Sequence, residues 1–219
     1  MVIEATKLLA GVIAVTASVL TGCDSTTSAT APATTVASSP TQSTGLLSLW
    51  TGTTDPAQTA LSFTQDYLGY RSIDTVDGVR ESGDECHVTV GYANPAGRVS
   101  TSAVLHLIRS GAGAPWTVVG TEDSTLSLTA PAYGSTVRSP VQVGGVITGV
   151  DESLDVRIRI AGEQATIGET GMIPAGGENT PWRADVTFDA PPGRVLTIAV
   201  STGGHVVDVE RFAITGART

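Results

Sequence analysis

The sequence predicts two successive folded parts: a small α+β unit over residues 46–124 and an all-β sandwich over residues 125–219. Three observations carry this. Only residues 56–68 place apolar side chains at helical spacing. Beyond residue 85 the pattern is mostly alternation with a period of two, cut by Gly- and Pro-rich turns. Aromatic residues make up only 5% of the chain while 25 of its residues are glycine, a mixture that suits short strands and turns better than a helix bundle.

The N-terminal segment does not read as globular. Lys7 supplies a thin positive region, and Leu8 to Leu20 is an apolar run too short for an ordinary transmembrane helix but suited to a signal-peptide core. The run closes in Leu20-Thr21-Gly22-Cys23. An aliphatic residue, two small residues and a cysteine in that position resemble the bacterial lipoprotein signal. The resemblance implies cleavage after residue 22 and attachment of lipid to Cys23. Acyl chains of that kind contribute about 0.8 kcal/mol per buried methylene, and two or more give a stable anchor. The alternative for Cys23 is a disulfide with Cys86, the only other cysteine. Residues 23–45 are mostly Ser, Thr, Ala and Pro and read as a disordered stalk, because such a tract buries too little apolar surface to offset its ordering entropy. Its expected span is on the order of 25 Å.

The first folded part opens with Asp55-Pro56, an N-cap followed by a first-turn proline. Ala57, Ala60, Leu61, Thr64, Tyr67 and Leu68 then form one helical face, and Gly69 is a fitting left-handed terminator. Leu46, Leu47, Leu49 and Trp50 are expected to pack on this unit. Cys86, Val88, Val90 and Tyr92 alternate with His87, Thr89 and Gly91, which is a strand. "NPAG" at 94–97 turns it into a return strand over 99–109, and "SGAGAP" at 110–115 leads to a third strand over 116–120.

The second part yields about seven strand candidates: 126–130, 141–146, 154–160, 163–169, 182–189, 194–202 and 205–214. That density is the pattern of an immunoglobulin-like β-sandwich, here without a disulfide staple. Trp182 and Phe188 are candidate core residues. Pro131 with Gly134-Ser135, then Val137-Arg138-Ser139-Pro140, Gly145 and Glu152, followed by "TPWRADVTF", resemble the immunoglobulin-like domain of bacterial spore-germination proteins and exported lipoproteins. The resemblance spans residues 126–216. It implies a sandwich and supplies no catalytic residues. The domain that often precedes it in that family is not recognisable in residues 46–124. Pro131 and Pro140 suit strand starts or edges, since neither can donate to a ladder. Only about five residues separate a strand ending near Gly120 from one starting near Leu126, so the two parts are expected to pack together.

Charge and residue inventory narrow the function. The net charge is −9 and Lys7 is the only lysine, so the chain is a poor match for nucleic-acid phosphates. Without lysine the folded part has no Schiff-base amine, no Ser-x-x-Lys nucleophile and no phosphate-loop Lys, and no Gly-x-Ser-x-Gly elbow occurs. Three features carry chemistry-bearing residues. Asp74, Asp77, Glu81, Asp84 and Glu85 are clustered but do not follow an EF-hand spacing, and read as a solvated loop. If residues 94–97 turn the hairpin, His106 falls near Cys86 or His87, a set able to hold zinc, though no short-range ligand pair supports it. Cys86 shares the Val88/Val90 face and reads as a buried, inert thiol. The expectation is a non-enzymatic, lipid-anchored envelope protein on the extracytoplasmic face. It has no cofactor, no metal, and lipidation at Cys23 as its one assigned site. Its partner is expected to be an envelope protein met through an exposed edge strand or sandwich loops. Two alternatives remain: a carbohydrate or small-ligand carrier using Trp50, Trp116 or Trp182, and a hydrolase using His87/His106 or the acidic residues.

Overall fold

Helix α1, Pro56–Ser62, starts where Asp55 accepts hydrogen bonds from the backbone N–H groups of Ala57 and Gln58 at 2.8 and 3.3 Å. The expected helix to residue 68 changes character half-way. Phe63–Tyr67 is a π-helical turn in which the Thr64 hydroxyl donates to the carbonyl of Ala60 at 2.8 Å and Leu68 N–H reaches Phe63 O. Gly69 then takes φ +85°, ending the segment as its sequence position indicates.

A computed structural model describes residues 45–219, with the side chains of residues 150–152 outside the description. Cys23, the apolar run and the Ser/Thr-rich tract therefore lie outside the described residues, as does the Glu152 side chain. The described part is mostly β, with one short helix and two antiparallel sheets. The first sheet contains β1 (Trp50–Thr51), β2 (Thr75–Ser82), β3 (Glu85–Ala93), β4 (Val99–Ile108) and β5 (Thr117–Thr121), in the order β1-β5-β4-β3-β2. The second contains β6 (Val141–Ile160), β7 (Thr166–Glu169), β8 (Ile173–Val186), β9 (Val195–Gly203) and β10 (Val209–Arg218). Its order is β10-β9-β6-β7, with β8 also on β6.

Three further sequence expectations are corrected. The acidic stretch expected as a loop is edge strand β2, joined to β3 by the two-residue turn Gly83-Asp84 with Gly83 at φ +64°. A bulge between Val76 and Gly78 breaks its alternation, which hid it. The strands expected at 141–146 and 154–160 are one strand, β6. Bulges near Ile147, Gly149 and Glu152 shift the side-chain phase mid-strand, so the period-two pattern reads as two pieces. Residues 126–130, expected as a strand, contribute only isolated bridges at Leu126 and Ala130. They lie so close that a Cβ on Gly145 would sit 2.0 Å from the carbonyl oxygen of Ser127. Glycine at 145 is therefore a requirement of backbone approach.

The apolar residues form two clusters. One gathers Phe63, Tyr67 and Leu68 with Val88, Leu105, Leu107, Trp116 and Val118 of the first sheet. It continues without a break to Ala199, Phe212 and Ile214 of the second. The other gathers Val143, Val156, Ile158, Trp182, Ile198 and Val200 of the second sheet. β9 is consequently covered on both faces, its odd residues toward the first cluster and its even residues toward the second. The polar face of β6 meets the helix end, where Arg159 donates to the carbonyl of Leu68 at 3.2 Å. Tyr67 Oη lies 2.9 Å from Thr197 Oγ1. The described residues thus belong to one compact unit.

Candidate functional site

The hairpin of β3 and β4 settles the position of the two sequence-flagged histidines. The register pairs His87 directly with His106 and Cys86 with Leu107. Side chains of directly opposed residues on one face must touch, and these two imidazoles stack with centroids 4.8 Å apart and planes 3° from parallel. Glu85 is two residues before His87 on β3, so it points to the same face. One ligand atom from each of Glu85, His87 and His106 lies within 4.8 Å of the others.

Glu122, just past β5, completes the cluster. Its Oε1 lies 2.7 Å from Nδ1 of His87, off the axis that a linear N–H···O bond requires. Arg80 of β2 holds the same carboxylate at 3.2 and 3.3 Å. Sequence reasoning missed Glu122, and no local signal marks it: a bulge at Val119 between β4 and β5 brings the chain back to the histidine row, where His106 pairs with Gly120. Nε2 of His106 is buried without a hydrogen-bond partner. Burial, with the neighbouring His87 second, pushes the His106 pKa below the usual histidine value, while Glu85 and Glu122 oppose this. His106 also forms one wall of a groove of about 450 Å³ shared with Leu46, Gly120, Leu128 and Tyr133, where the first sheet meets β10.

The other flagged residues do not converge. Glu81 and Asp84 pair with Arg109 at 3.7 and 3.2 Å, while Asp74 and Asp77 stay with β2 and its approach, so only Glu85 joins the histidines. Cys86 is a free, buried thiol whose pKa is raised by burial and then by Glu81, the opposite of an activated nucleophile. Trp116 and Trp182 are core residues, and Trp50 is half-buried with its ring 5.1 Å from that of Tyr67. A separate groove of about 820 Å³ runs along β8 past Ile173, Gly177 and Trp182.

Comparison with protein-family models, with curated proteins and with solved structures gives no match. The reading of this site therefore stands on the geometry alone. Two imidazoles, a carboxylate within ligand range and a second carboxylate beside one ring form an arrangement that exchanges protons or takes a cation. A serine or cysteine nucleophile is not among the residues that build this cluster.

Proposed function

We propose that the protein is a membrane-tethered envelope lipoprotein whose extracytoplasmic head binds another envelope protein without catalysing a reaction. The observation that carries the reading is Cys23, placed after the apolar run and followed by the Ser/Thr/Ala/Pro tract and then a compact head. On this reading the head comprises a small α+β domain, residues 46–124, and an immunoglobulin-like sandwich, residues 125–219.

Two structural features favour an adaptor over a carbohydrate carrier. Trp116 and Trp182 are committed to the core, so neither ring face is free to stack on a sugar. The head instead offers a strand edge: β8 pairs with β6 alone. Pro174 and Pro181 interrupt that edge, which blunts promiscuous pairing, and Glu178 and Asn179 between them are exposed on an irregular stretch suited to side-chain contacts.

Replacing Cys23 by Ser tests the tether. The variant is expected in the soluble fraction or as an unprocessed precursor. A variant that is processed normally and remains membrane-bound through acyl chains removes the lipoprotein reading. Photocrosslinkers placed at Glu178 and, as a control, at Asp77 test the binding face. A specific protein adduct from Glu178 and none from Asp77 supports docking at β8, and the reverse pattern rejects it.

A further inference from the structure

We propose that Glu85, His87 and His106 bind one divalent transition-metal ion of the zinc type, with Glu122 as the carboxylate that orients His87. The sequence alone led to the opposite expectation, because its ligands are not close along the chain. Sheet register supplies the proximity that spacing does not.

Four observations support the assignment. Ligand atoms of the three residues lie within 4.8 Å of one another. Bound to one zinc at the usual metal–ligand lengths they would be roughly 3.3 Å apart. Small rotations of side chains on a fixed hairpin close that difference. The donor set of two imidazoles and one carboxylate suits zinc and its neighbours and is a poor one for calcium or magnesium, which take oxygen ligands. The His106 Nε2 is buried and unpaired, a cost that a metal–nitrogen bond removes. Glu122, 2.7 Å from Nδ1 of His87 and itself held by Arg80, stands where an outer carboxylate can orient a metal-bound histidine once the ring turns to align that contact.

Access is provided by the register partner of His106. Gly120 has no side chain, and a Cβ there would meet nothing within 4 Å. The row beside the imidazole is thus open to the groove. Three protein ligands leave one tetrahedral position for water or for a donor from a docked molecule. None of this depends on the envelope reading.

The test uses the full-length chain in detergent, stripped of metal, loaded with Zn²⁺ and dialysed. Elemental analysis is expected to find one equivalent retained. The chain has three histidines, and on zinc addition the ring proton signals of His87 and His106 are expected to move while those of His205 do not. The double variant His87→Ala/His106→Ala is expected to retain only background zinc. Glu122→Gln is expected to bind about tenfold more weakly. No retained zinc, retention undiminished in the double variant, or movement of His205 instead of the other two overturns the proposal. The histidine signals of the unaltered chain decide the matter even if the double variant fails to fold.

Discussion

Tyr67→Phe removes a single hydroxyl at the seam between the two sheets, and its effect follows from the groups left behind. Tyr67 is 1% exposed, and its hydroxyl lies 2.9 Å from Thr197 Oγ1 and 3.3 Å from the carbonyl oxygen of Ile160. Thr197 is itself 1% exposed, so water cannot replace the lost partner. Burial raises the Tyr67 pKa despite the Thr197 hydrogen bond and the Arg159 charge, so the group is neutral and no ion pair is lost. A buried hydroxyl or carbonyl stripped of its partner costs about 1–3 kcal/mol. For a folded part of this size that corresponds to roughly 2–12 °C in Tm. Urea unfolding followed by circular dichroism measures the change, and Thr197→Val closes a double-mutant cycle with an expected coupling of about 1 kcal/mol. Trp116 lies in the cluster that joins the sheets and Trp182 in the second apolar cluster. Fluorescence from each alone is therefore expected to report one shared transition. A loss below about 0.3 kcal/mol with no coupling, or two separated transitions, refutes the idea that the two sheets form one cooperative unit.

Gly145→Ala is expected to cost about 1–3 kcal/mol or more in urea unfolding, because the new Cβ would stand 2.0 Å from the Ser127 carbonyl oxygen. Gly171→Ala, where a Cβ meets nothing within 4 Å, serves as the near-neutral control. The carboxyl of Asp155 has its pKa raised by burial, only partly countered by Arg157 at 2.8 Å. The folded state therefore holds this proton more tightly. Its contribution is fully present below the unfolded carboxylate value of about 3.9 and is lost as pH rises through the higher folded value. Asp155→Asn is accordingly expected to match the parent in acid and to gain on it at neutral pH, and a variant that loses stability at neutral pH contradicts this. Limited proteolysis is expected to leave a stable fragment beginning near Leu46 and uncut across residues 120–126. Two stable fragments from cleavage at Glu122 or Asp123 would show separable parts.

What the sequence determined by itself is local. Asp55-Pro56 and Gly69 mark the ends of the helical segment because capping and left-handed termination are properties of single residues and their immediate neighbours. The alternation of Cys86, Val88 and Val90 sorted β3 into a buried and an open face, and the turn at 94–97 was enough to bring His106 to the neighbourhood of His87. The tertiary structure decided what depends on interrupted phase or on distant chain. A bulge concealed β2, and bulges in β6 made one strand look like two, since an inserted residue flips every later side chain to the other face. Arg159 follows the exposed beat of a half-buried strand, yet it is 5% exposed because the helix end covers it and its guanidinium finds the Leu68 carbonyl. Glu122 reaches His87 only through the bulged pairing of β4 with β5. Periodicity records which side of an element is covered, whereas the partner that covers it is chosen by packing between segments far apart in the chain.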